Sequence, residues 1–151
     1  MLEGWLEYHR ATLLAKCEGL DPAQLATHSV PPSPLSLLGL VRHMSEVEQH
    51  WFPRMLMGEH VRPRYSTRED PDGDFNGAAP DNAAQVFTDF AVDCQRSREI
   101  AAGSDLDRIA ERELMGGPVT LRWIMVHMIE EYARHNGHAD LLRECIDGSV
   151  G

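Results

Sequence analysis

The chain has 151 residues, 42% of them hydrophobic, and sets 24 Asp and Glu against 14 Lys and Arg for a formal charge of −10. At this length a core forms without covalent staples, and an acidic balance with no Lys/Arg-rich run lacks the footprint that nucleic acid or an anionic bilayer requires. Cys17, Cys94 and Cys145 form no C-x-x-C pair, so they read as buried, reduced thiols of a cytoplasmic protein, neither a disulfide framework nor a thiolate zinc knuckle. The opening MLEGWLEYHR lacks an apolar signal core, and the longest apolar stretch, Leu121 to Ile129, is interrupted by Arg122 and His127. Neither export nor a membrane span is expected.

Taken in chain order, the apolar spacing predicts helices over about 3–20, 34–57, 82–102 and 121–146 and no strand of length, an all-α four-helix bundle with long connecting loops. Gly19-Leu20-Asp21-Pro22 ends the first helix. Ser33, followed by Pro34, is the expected cap of the second, with Pro53 as a kink or restart and Gly58 as its end. The segment 59–80, rich in Pro, Gly and acidic residues, reads as a long irregular loop near the mouth of any site. Asp81 is the expected cap of the third helix, and Thr120 and Gly148 bracket the fourth.

The informative stretch is Trp123 to Leu142. Advancing about 100° per residue from Glu131 puts His135 at about +40°, His138 at about −20° and His127 at about −40°, on the side that Ile124, Met128 and Leu142 also occupy. A carboxylate on an apolar face is costly unless it is paired or bound to a cation, whereas Glu130 falls off that face. On the second helix His43 shares a side with Leu40 and Val47, while Glu48 is expected outward. Glu131 and His135 lie about 6 Å apart along the axis, so both reach one ion, and a third ligand from a facing helix leaves an open position, the pattern of a catalytic metal. Imidazole and carboxylate suit Zn²⁺, Ni²⁺, Fe²⁺ or Mn²⁺. His127 and His138 are rival ligands or outer partners of the same site. His50 lies roughly 10 Å from His43 along the helix and reads as partly buried structure, and His9, His28 and His60 read as surface residues. The H-E-x-x-H motif, the nucleophile elbow, the P-loop and the dinucleotide fingerprint are absent, and the di-iron Glu-x-x-His spacing is reversed. No protein nucleophile is expected.

Two blocks, Ser36 to Phe52 around His43 and Thr120 to Asp140 around Glu131 and His135, resemble the DinB-like (YfiT-like) four-helix metalloprotein superfamily, in an actinobacterial branch long labelled a domain of unknown function. The resemblance covers nearly the whole chain and implies one domain over 1–151. It also implies a divalent metal on His43, Glu131 and His135, Zn²⁺ foremost, with His127 and His138 as outer or alternative ligands. Glu131 departs from the common three-His pattern and is similar to the mycothiol-dependent maleylpyruvate isomerase, where a carboxylate stands at that position. The implied activity is a metal-dependent thiol S-transferase or thiol-assisted isomerase, akin to the mycothiol and bacillithiol S-transferases, with a small thiol and an electrophile as partners and a homodimer as a candidate assembly. Lys16 is the single lysine among the 14 basic residues, an arginine bias that suits a high-GC actinobacterium, where mycothiol is the small thiol. The alternative is a non-catalytic helical metal-binding or stress-response protein.

Overall fold

The computed structural model describes residues 1–150. Its elements are α1 (Leu2–Ala15), α2 (Pro22–Leu25), α3 (Leu37–Gln49), a π-helical continuation of α3 (His50–Leu56), α4 (Gly73–Asn76), a 3-10 turn (Pro80–Asn82), α5 (Ala83–Ala102) and α6 (Leu121–Asp147). Strand pairing among the described residues is confined to two isolated bridges, so the fold is all-α. No described helix is long and apolar enough to cross a membrane. Helix α1 packs on α6, α3 packs on α5, and α3 joins the two pairs by also touching α6.

The boundaries follow local chemistry, with four departures from expectation. Helix α1 stops at Ala15 because the chain tightens into three-residue turns, Cys17 N–H to the Leu14 carbonyl and Glu18 N–H to that of Ala15. Ser36, not Ser33, caps α3, since Ser36 is extended and its hydroxyl accepts from the Gly39 N–H at 3.1 Å. The helix around Pro53 changes type, from α to π at His50, and stays helical through the proline to Leu56. Without an N–H for the carbonyl one turn back, the chain widens into π turns, with the Met57 N–H reaching the Phe52 carbonyl at 3.2 Å. The carbonyls of Met55 and Leu56 are then met by the N–H groups of Arg112 and Glu111. Asp81 makes no cap, because the 3-10 turn precedes α5. Thr120 does cap α6, and Gly148, at φ 80°, closes it in the left-handed conformation.

Helix α3 is the central element. Leu37, Leu38, Leu40 and Val41 are each fully buried although they face different directions, as an all-round apolar run requires. The outward placement of Glu48 is therefore wrong: its side chain is fully buried. Its carboxylate receives Arg10 in a two-bond fork (2.8 and 2.7 Å) and the Tyr132 hydroxyl at 2.7 Å. Cys94 is buried beside this cluster and Cys17 is buried elsewhere in the core, whereas Cys145 is exposed, against expectation.

Candidate metal centre

Helices α3 and α6 bring His43, Glu131 and His135 together, with one potential ligand atom from each lying within 4.8 Å of the others. His43 and Glu131 are half-buried and His135 is buried, so the cluster sits at the edge of the core with an opening outward. Asp74 of α4 fixes the first ligand. The His43 Nδ1–H donates to Asp74 Oδ2 at 2.7 Å, which leaves Nε2 free with its lone pair, the outer arrangement that metal-binding imidazoles favour. Phe75 stacks on the His43 ring at 4.8 Å. Arg42 holds α4 in place by donating to the carbonyls of Asp74 and Gly73 (2.6 and 2.8 Å), and a Cβ on Gly77 would run into that guanidinium. The 59–80 segment thus contains an ordered turn of helix and lies against the site. Asp74 escaped the sequence reading because no spacing rule links a loop residue to a helix 31 positions earlier.

His135 Nδ1 lies 3.3 Å from His138 Nδ1, and its Nε2 lies 3.6 Å from Glu131 Oε2. With the proton on Nδ1 and donated to His138, Nε2 carries a lone pair and is available, beside the Glu131 carboxylate, as a ligand atom. Burial, and after it the neighbouring His43 and His138, push the His135 imidazole down to about 4, so it is uncharged at neutral pH. Glu131 has only imidazoles as ion-pair neighbours: His135 and, at 3.5 Å, His127 Nε2. Two imidazoles and a carboxylate without an Arg or Lys partner suit a divalent cation. The donor set fits.

The other candidates take different places. His127 stacks on Trp123 at 5.1 Å, meets Trp51 edgewise at 4.6 Å, and forms a second group with Glu130 and Glu131. Glu130 is exposed and occupied by Arg134, so that group is the less enclosed. His138 touches the cluster through His135 alone. His50 is half-buried as expected, and His28 and His60 are exposed, but His9 is half-buried against Asn136, which donates to its backbone carbonyl at 3.1 Å.

A family model described as mycothiol-S-transferase matches residues 1–148 of the chain. A comparison with curated proteins found no match.

Proposed function

This chain belongs to the mycothiol-S-transferase family, and from that premise we propose that it joins the sulfur of mycothiol to an electrophilic carbon at a divalent-metal site, Zn²⁺ foremost, formed by His43, Glu131 and His135. The observation that carries the reading is Glu131, an inward carboxylate whose partners are two imidazoles and no Arg or Lys. A divalent ion held by these three residues would supply Lewis acidity, lowering the pKa of the thiol so that its sulfur would be nucleophilic at neutral pH.

The chain's own residues prepare that chemistry. Asp74 aims His43 by holding Nδ1–H, and His138 does the same for His135, so neither ring must reorient when charge arrives. Phe75 on one side and the Trp51, Trp123 and His127 cluster on the other limit access of water. In the transfer a carbon–sulfur bond forms, the bond from that carbon to its leaving group breaks with the electron pair departing on the leaving group, and the thiol proton passes to solvent. No side chain acts as nucleophile. Burial pushes the Cys94 thiol far up and the Cys17 thiol up to about 12, which leaves both protonated and inert.

The test is elemental analysis of the purified chain followed by thiol consumption with a halo-dinitrobenzene. One equivalent of divalent metal, with conjugation that disappears on chelation and returns with Zn²⁺, is the expected result. Conjugation at full rate in metal-free protein would sink the reading.

A further inference from the structure

From His43 an open groove of about 280 Å³ runs along α3 and its π-helical continuation, lined by Glu46, His50, Trp51, Arg54 and Ser66. Its charges are sorted along its length. At the His43 end stand the carboxylates of Asp74 and Glu46, both engaged. Asp74 binds His43 and accepts from the Phe75 N–H, and Glu46 accepts from the N–H groups of Tyr65 and Ser66 and from the Ser66 hydroxyl.

At the far end stands Arg54, half-buried and, among the described residues, without a hydrogen-bond or ion-pair partner. Other guanidiniums of this part of the chain are held: Arg42 at the His43 end by the Gly73 and Asp74 carbonyls, Arg64 by Asp93, and Arg112 by the carbonyls of Gly58 and Glu59. Arg112 adds a second positive charge on this side, again with no carboxylate. His50, also in the lining, is held below its ordinary range by burial and then by the charges of Arg54 and Arg112. A guanidinium partly withdrawn from water and left unpaired is a planar two-bond receptor for a carboxylate. The net charge of −10 gives an anion no long-range attraction, so its recognition must be this local contact. Between the two ends Trp51, 9% exposed and packed against His50, Trp123 and His127 at 5.0, 5.4 and 4.6 Å, contributes an apolar edge to the lining.

Building on the transfer reading above, we infer that the electrophile is an aromatic acid, its carboxylate on Arg54, its ring against Trp51 and its reacting carbon toward His43. Arg54 is eleven residues beyond His43, roughly 16 Å along an ideal helix axis, a span that the two side chains and a ring bridge together. The acid group and the leaving group therefore sit at opposite ends of the molecule, not on adjacent carbons. The bonds made and broken are those of the transfer step, and the carboxylate is unchanged.

Two measurements test this on the full chain. In the first, benzoate and neutral benzamide are titrated into metal-free protein, where no ion competes for the carboxylate, and the Trp51 indole N–H resonance is followed. Benzoate is expected to bind at least about tenfold more tightly, the scale of a charge-assisted contact. Arg54→Gln should abolish that preference and Arg54→Lys should keep part of it. Equal binding of the two probes, or a preference that survives Arg54→Gln, overturns the inference. In the second, Zn²⁺-loaded protein is offered a chloronitrobenzoate and the matching chloronitrobenzamide. The acid-to-amide ratio of kcat/KM should fall about tenfold in Arg54→Gln, and an unchanged ratio overturns the inference. If neither compound is conjugated, the transfer reading falls, while a benzoate preference lost in Arg54→Gln still supports an acid site at Arg54.

Discussion

Glu48 and Glu131 are carboxylates on two helices that touch, α3 and α6, and both turn away from solvent, but their surroundings differ. Glu48 is fully buried, and its charge is matched inside the chain by the Arg10 fork, with Tyr132 donating a third bond. Glu131 keeps a fifth of its side-chain surface exposed and faces only imidazoles. The first arrangement is complete as it stands. The second leaves a carboxylate with no Arg or Lys to answer it, beside imidazole nitrogens at the edge of the core. Burial by itself therefore does not mark a functional carboxylate, and the absence of an internal counter-charge does.

The largest expected effect comes from breaking the complete pair. Arg10→Met strands Glu48 in the core and should cost about 3–5 kcal/mol, roughly 10 °C in Tm for a chain of this size, by thermal or urea unfolding. Adding Glu48→Met should restore most of the loss, because an apolar pair of similar volume needs no compensation. A single change that leaves Tm in place would dissolve the contrast.

Glu131→Gln should behave in the opposite sense. Metal-free variant should be as stable as wild type or more so, since an uncompensated carboxylate has been removed. With Zn²⁺ at about 100 times its Kd, wild type should gain about 2.7 kcal/mol and the variant none. If Glu131→Gln keeps full occupancy while His127→Ala loses it, the centre is built one turn earlier on α6. Smaller effects should come from the outer partners. Asp74→Ala should weaken Zn²⁺ binding about 10–100-fold through loss of His43 orientation, measured by competition with a chromophoric chelator, whereas His43→Ala and His135→Ala should abolish stoichiometric binding. His127→Ala and His138→Ala should weaken binding without abolishing it.

The smallest effect is a reactivity difference. At pH 8 a maleimide should modify exposed Cys145 alone, because Cys17 and Cys94 are buried with thiols held well above their ordinary range. Cys94 lies 3.8 Å from both Glu48 Oε1 and the Tyr132 hydroxyl, so its labelling in Arg10→Met should rise and report the opening of the Glu48 cluster by mass spectrometry.

The sequence by itself determined the helical architecture and the alignment of Glu131 with His135, because apolar spacing, caps such as Thr120 and Gly148, and the 3.6-residue turn act over one or two turns of chain. It also determined that His43 points inward, since Leu40 and Val47 share its side. Tertiary structure decided what answers each charge. A helical wheel assumes one buried face, but α3 is enclosed on nearly all sides, so Glu48 went inward to meet Arg10, 38 residues away. Only the run of apolar residues from Leu37 to Val41 hinted at that. Asp74 reached His43 because Arg42, with Gly73 and Gly77, draws a loop against the helix, and Arg54 was left without a side-chain partner while Arg112 took backbone carbonyls and Arg64 took Asp93. Such pairings depend on distances between elements remote in sequence, which local periodicity does not encode.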